Sequence, residues 1–413
     1  MSLVQYNHSL QPLSHVDWTP TRAAGLARLE AFLPQAGPAY ARTRNTDLGP
    51  QDRSNVSALS PWLARRILTE EEVGRRVLQV HGFVKAEKFI QEVYWRSYWK
   101  GWLELRPQVL TRFNSDRLAL KRLEADDADL AHRLAQARAG QTGIACFDAW
   151  VEELTTLGWL HNHARMWFAS IWIFTLQLPW QLGADFFFKH LMDADVASNT
   201  LSWRWVAGLH TKGKHYVARA SNIEAHTQGR FNPVGQLNET ALPLAEPFLE
   251  TGPGQLPLAE MCLERRVGLL LTADDLHPHS INIPAKVVGA AVLGSAIIGP
   301  NDGPKNCFLR RAEQDACARM QADFDVDTQV RASVEDLVAW ATSLNVREIV
   351  TPYAPVGPTG WQLADVQAAL TSHGIRLVRL RRAWDSKTWP LATGGFFKLK
   401  EKLPKLVAEQ AGR

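Results

Sequence analysis

Residues 158–208 read GWLHNHARMWFASIWIFTLQLPWQLGADFFFKHLMDADVASNTLSWRWVAG. Asn162, Arg165 and Met166 fall within one amphipathic helical run, Asp193 and Asp195 stand one residue apart, and Asn199 follows six residues after the first acid. Trp203-x-Trp205 closes the stretch. Charged and amide groups set among so many aromatics are costly to bury unless they hold something. The stretch therefore reads as helical and as a candidate binding site.

The chain around it is long enough, at 413 residues, for at least one large core, and two domains are the natural expectation. Its 46% hydrophobic and 21% charged residues are the composition of a soluble globular chain. A formal net charge of +4 permits nucleic-acid binding without arguing for it. Of the 16 Trp, all but Trp340, Trp361, Trp384 and Trp389 lie between Trp18 and Trp205, which marks the N-terminal half as the aromatic part. Cys146, Cys262, Cys307 and Cys317 form no CxxC pair and read as reduced thiols of a cytoplasmic protein. No metal site is expected, since Asp274, Asp275, His277 and His279 crowd one short loop without a ligand spacing. The opening MSLVQYNHSL lacks the basic-then-apolar pattern of a secretory signal, and the apolar runs at 166–180 and 287–300 are too short or interrupted to span a membrane.

Along the chain, Leu26, Leu29, Phe32 and Leu33 recur at helical spacing up to Pro34. Ser60-Pro61 reads as an N-cap followed by a first-turn proline. Residues 86–102 repeat Phe89, Glu92, Trp95 and Trp99 along one helical face, 114–140 are charged, Ala-rich and helical, and Ile144, Phe147, Trp150, Val151, Leu154 and Leu157 make an apolar stripe. Residues 232–257 are dense in Pro and Gly and read as a linker. Beyond them, 267–271, 348–350 and 376–378 are short apolar strands with helices at 334–344 and 363–372 between the later ones, the pattern of a parallel α/β layer. The expected class is thus α + α/β: an all-helical domain at 1–234, a linker at 235–257, and a smaller Rossmann-like α/β domain at 258–413.

Five segments go further: VSALSPWL (56–63), FIQEVYWRSYW (89–99), GWLHNHARMW (158–167), PWQLGADFF (179–187) and DADVASNTLSWRW (193–205). In order and spacing they resemble the FAD-binding domain of the photolyase/cryptochrome family. Taken alone, the Ser60-Pro61 turn is an ordinary capped helix and the Trp residues ordinary core. The resemblance implies an FAD whose phosphates lie near Ser57, Leu59 and Ser60, at a helix N-terminus that favours an anion, with Tyr40 and Arg96 close by. It places Phe89 and Trp159 among the cofactor-binding residues, the Arg165–Asp193 pair beside flavin N5, Asp195 against the flavin and ribose, and Asn199 facing N5. It implies a cavity for an extruded pyrimidine dimer lined by Glu92, Trp95, Asn162, Met166 and Trp205. There the Trp rings would stack on bases and Glu92 would bond a base edge or donate a proton. Trp203 and Trp180 match the first two members of an electron relay, which makes them, with Glu92 and Asn199, the catalytic candidates.

The sequence also departs from the family. Its third relay position falls near Asp127, and 114–140 hold no Trp. Ser97 stands where an acid usually follows Trp-Arg, and Leu201-Ser202 replace the small pair before the first relay Trp. Residues 210–233 differ from the repair-enzyme pattern and are basic through His210, Lys212, Lys214, His215, Arg219 and Arg230, a loop that either touches phosphates or is simply solvated. The family's α/β domain precedes the flavin domain, whereas here 269–280 and 393–404 resemble its beginning and end from a C-terminal position. The resemblance thus implies a light-driven FAD-dependent photolyase that repairs pyrimidine dimers in DNA, with an antenna chromophore of unspecified identity. The alternatives are a cryptochrome-type photoreceptor without repair activity, or a relative that binds nucleic acid without flavin.

Overall fold

The structure is a computed structural model that describes residues 13, 15–211, 213–247, 252–299 and 302–411. Its first half is helical: α1 (Arg22–Phe32), α2 (Pro38–Thr43), α3 (Ser60–Ala64), α4 (Glu70–Glu104), α5 (Gln108–Asp126), α6 (Ala128–Arg138), α7 (Ala145–Leu157), α8 (Asn162–Ser170), α9 (Trp180–His190), α10 (Val196–Ala207) and α11 (Ala220–His226). No strand occurs before residue 266 among the described residues. The second half alternates: β1 (Arg266–Thr272), β2 (Lys286–Leu293), α12 (Pro304–Phe324), β3 (Thr328–Arg331), α13 (Val334–Ser343), β4 (Glu348–Pro352), α14 (Pro358–Thr371) and β5 (Arg376–Leu380). Three short helices, α15 (Ala383–Thr388), α16 (Phe396–Lys400) and α17 (Leu403–Ala411), close the chain.

Local chemistry sets the boundaries. Thr21 caps α1 by accepting from the Ala24 amide, and Thr69 caps α4 by accepting from the Glu72 amide, each at 3.2 Å. Glycines in the left-handed region end α7 and α10, Gly158 at φ 68° and Gly208 at φ 85°, so two C-caps bracket the decisive stretch. The α3 start differs from expectation. Leu59 occupies the cap position in a helical conformation and Ser60 is the first helical residue, its hydroxyl taken by the indole N–H of Trp159 at 2.9 Å.

All five strands are parallel, in the order β3-β2-β1-β4-β5. The central β1 is buried from its second residue on, as befits a strand covered on both faces. β2, β3 and α12 are elements that the sequence pattern did not mark. One core runs through both halves, with Trp62 of α3 edge-on to Phe308 of α12 at 5.9 Å. No described helix is long and apolar enough to cross a membrane, and the described residues contain no cluster of three potential metal ligands.

Buried charges join the halves. Arg66 donates two bonds to Asp385, at 2.7 and 2.5 Å, and also meets Glu70 and Asp275. Arg382 grips Asp275 at 2.5 and 2.6 Å. One acid of the second half is less well compensated: Glu313 on α12 is 3% exposed, accepts from the Ser295 amide, and is pushed up to about 7 by burial against that bond and the pull of Arg65 and Arg310. Because its folded pKa lies above the unfolded value of about 4.3, its contribution is complete at low pH and is lost as pH rises toward 7. Urea midpoints are therefore expected to fall between pH 5 and 8, and Glu313→Gln to flatten that slope by on the order of 3 kcal/mol. An unchanged slope in the variant contradicts this.

Candidate functional site

The loop before α3 is fixed from beneath. The buried Arg28 guanidinium donates to the carbonyls of Leu13, Arg53, Val56 and Ser57 at 2.7–2.9 Å, and its pKa is lowered to about 10 by burial. The amides of residues 57–60 have no protein acceptor among the described residues. Ala58 lies at φ 53°, a conformation unusual for a non-glycine residue that recurs at binding loops. The Trp159 ring closes the loop's flank, with Trp18 at 5.7 Å and the Arg53 guanidinium 4.7 Å above it. Tyr40 and Phe89 do not join this group. They pack on each other at 5.2 Å and on Phe32, buried between α1, α2 and α4.

The acids lie at the junction of α8, α10 and α4. Arg165 forms a forked pair with Asp193 at 3.1 and 2.8 Å, and its Nε donates to the Leu160 carbonyl. Asp195 does two jobs. One oxygen caps α10 through the Ser198 amide at 2.9 Å, and the other receives Lys100 at 2.6 Å and Arg96 at 3.2 Å. Burial raises the Asp195 carboxyl, but those two cations outweigh it and hold the acid well below its ordinary range. Arg96 in turn pairs with Glu70 at 2.8 Å and donates to the Ala64 carbonyl at the C-terminal end of α3, so its contacts are with acids and that helix end rather than with the 57–60 loop. Lys100 was not among the expected residues, although it stands one turn beyond Arg96 on the same face of α4. Asn199, one turn along α10, donates to the Ala184 carbonyl at 2.8 Å.

The residues expected to line a substrate cavity fall into pairs. Asn162 is exposed and lies 3.9 Å from the Met166 sulfur. Trp205 stacks on Tyr216 at 5.8 Å. Glu92 pairs with Arg44 at 2.6 Å, and desolvation pushes its pKa up against the pull of Arg44 and Lys88. Trp95, one turn further on α4, lies flat against Phe396 of α16, with ring centroids 3.7 Å apart and planes 11° from parallel.

The aromatic positions behind these are core. Trp203 is buried 5.1 Å from Phe187 and 6.3 Å from Trp172, its indole N–H without a partner among the described residues, and an added Cβ at Gly183 would sit 2.4 Å from its ring. Trp180 donates to Glu246 at 2.9 Å and stacks on Phe113 at 5.3 Å. In the basic loop, His210 is half-buried among Trp99, Trp102 and Tyr98, and desolvation lowers its pKa to about 3. His215 bonds the Ala241 carbonyl and Arg230 pairs with Asp47. Lys214 and Arg219 face solvent, and Lys212 lies outside the described residues.

Residues 89–243 match the family model described as the FAD binding domain of DNA photolyase. Among curated proteins, a deoxyribodipyrimidine photo-lyase of Streptomyces griseus is 36% identical over 180 residues, covering 41% of this chain and 38% of that protein. A cryptochrome DASH of Gloeobacter violaceus is 32% identical over 197 residues, covering 45% and 37%. A deoxyribodipyrimidine photo-lyase of Thermus thermophilus is 33% identical over 202 residues, covering 48% and 45%. The matched region thus spans less than half the length of each of these relatives.

Proposed function

We propose, from the membership of this chain in the photolyase/cryptochrome family through its FAD-binding domain at residues 89–243, that it is a light-driven FAD-dependent DNA photolyase acting on pyrimidine dimers. The residues suit the cofactor. Unpartnered amides at 57–60 form an anion cradle, with Ser57, Leu59 and Ser60 around the phosphates and Trp159 alongside. Arg165–Asp193, Asp195 and Asn199 supply a pre-oriented polar set for the isoalloxazine end. Tyr40 and Phe89 belong to the proposed cofactor set only through the resemblance, since both pack against Phe32, while Arg96 is tied to Asp195. When bound and reduced, FAD supplies the light-driven electron; the protein supplies position and dryness.

The observation that carries repair beyond cofactor binding is the pairing of Glu92 with Trp95 on one face of α4. Trp95 offers an aromatic face for an extruded base. Glu92, its pKa raised by burial against the pull of Arg44 and Lys88, takes up a proton at higher pH than an ordinary carboxyl, and in that form can donate to a base edge or to the opening dimer. Asn162, Met166 and Trp205 complete the proposed substrate set, and Trp203 and Trp180 the proposed relay. The same reading divides the chain into 1–234, 235–257 and 258–413, makes the α/β half the place for an antenna chromophore of unspecified identity, and puts the protein in the cytoplasm.

Blue light with a reductant is expected to restore pyrimidines in an oligonucleotide containing one cyclobutane dimer. Retention of FAD without such repair defeats the proposal. Affinity for that oligonucleotide is expected to fall as pH rises through the elevated Glu92 pKa, because the donor proton is then lost. Glu92→Gln, a donor at every pH, should abolish the pH dependence, and Glu92→Ala should weaken binding about tenfold. Equal pH profiles for wild type and Glu92→Gln contradict the assigned role.

A cryptochrome-type photoreceptor remains the second reading because Trp180 ends on Phe113 and Glu246 rather than on a further Trp. Light-dependent change in proteolysis of residues 235–413, without repair, would select it.

A further inference from the structure

An indole has two faces, and in this protein one face of Trp95 is already covered. Phe396 is 4% exposed and stacks on it at 3.7 Å, while Trp95 itself stays partly exposed. The segment carrying Phe396 is fastened along the same helix and just beyond its end. The Tyr98 hydroxyl donates to the Gly394 carbonyl at 3.0 Å, Arg106 donates to the carbonyls of Ala392 and Thr393 at 3.2 and 2.8 Å, and the Trp384 indole N–H donates to Ser97 at 2.7 Å. Gly101 lies so close to Trp389 that an added Cβ would fall 2.6 Å from its Cα. Ser97, where the family usually has an acid, is thus a docking point for the C-terminal half.

We infer that Phe396 is a positioning residue for Trp95, and that the C-terminal half thereby builds part of the substrate wall. This rests on the photolyase reading in so far as the substrate is an extruded pyrimidine. A base stacked on a freely rotating indole gains less than one stacked on a fixed plane, since the entropy lost in ordering the ring opposes the stacking contact. Phe396 fixes the plane beforehand, so the open face of Trp95 receives the base and a three-layer stack of Phe396, Trp95 and base results. Tyr98 and Trp99, at 5.5 and 5.2 Å from Trp95, brace the ring from its sides.

The test compares Phe396→Leu, Phe396→Met and Phe396→Tyr in the full-length protein labelled with 5-fluorotryptophan, the Trp95 resonance being assigned through Trp95→Phe. The leucine and methionine variants fill the volume without a ring. They are expected to move the Trp95 fluorine signal and to weaken binding of a single-dimer oligonucleotide about tenfold, at unchanged FAD content. The tyrosine variant is expected to restore both. An unmoved Trp95 signal in whichever of the ringless variants folds overturns the proposal. If wild type binds dimer and undamaged DNA equally while the signal still moves, the repair reading fails and the support of Trp95 by Phe396 stands.

Discussion

Asp195→Ala is expected to cost the protein its FAD and about 3–5 kcal/mol of stability, the range for breaking a buried ion pair from one side. Lys100 is 6% exposed at its side chain and Arg96 13%, so removing the shared carboxylate leaves Lys100 without its ion-pair partner and Arg96 with Glu70 alone, both with little water to turn to. The same change removes the α10 cap, worth about 1 kcal/mol alone. Asp195→Asn keeps the capping oxygen but not the charge and should fall between wild type and alanine. The carboxyl's folded pKa is depressed, so its contribution is present above the unfolded value and disappears only as pH falls through the folded one. The wild-type advantage over Asp195→Asn should therefore persist at pH 5. Urea unfolding and bound flavin per chain measure both effects; a variant with wild-type midpoint and flavin content would remove Asp195 from the site.

Asp385→Ala is the second large effect expected, again about 3–5 kcal/mol, and it acts on the junction of the halves. Asp385 is the forked partner of Arg66, and both side chains are at most 3% exposed. Arg66 retains Glu70 and Asp275, but Asp275 is already gripped by Arg382, so the network cannot simply re-pair. Loosened docking should appear as faster proteolysis around residues 384–397 and as a Trp95 environment resembling that of Phe396→Leu, since α15 and α16 lie on the same side of α4. A stability loss with protease sensitivity confined to residues 22–226 would show that the junction does not depend on this pair.

The sequence made legible what local pattern encodes. The helical spacing of 144–157 and the alternation of strand and helix after 334 appear where expected, and Arg165 and Asp193 form the ion pair that the resemblance implied. β2 was missed because 287–300 is apolar and Gly-rich without alternation, and β3 because four residues carry little signal. α12 was missed because its buried face mixes Lys305, Asn306 and Glu313 with Phe308 and Leu309, which blurs the apolar period. Lys100 could have been found from its i+4 relation to Arg96. The support of the 57–60 loop by Arg28 and of Trp95 by Phe396 could not, because both are long-range contacts with no local spacing to betray them. Ser60 misled for a related reason: its hydroxyl serves Trp159, a residue of another helix, rather than its own helix end.

The proposed chemistry requires FAD in the helical half, and one titration tests that most directly. Purified protein stripped of cofactor and titrated with FAD should develop the absorption bands of protein-bound flavin, saturating at one FAD per chain, with Asp195→Ala failing to saturate and Phe396→Leu saturating normally. Protein that stays folded yet shows no flavin bands at any FAD concentration would contradict the account.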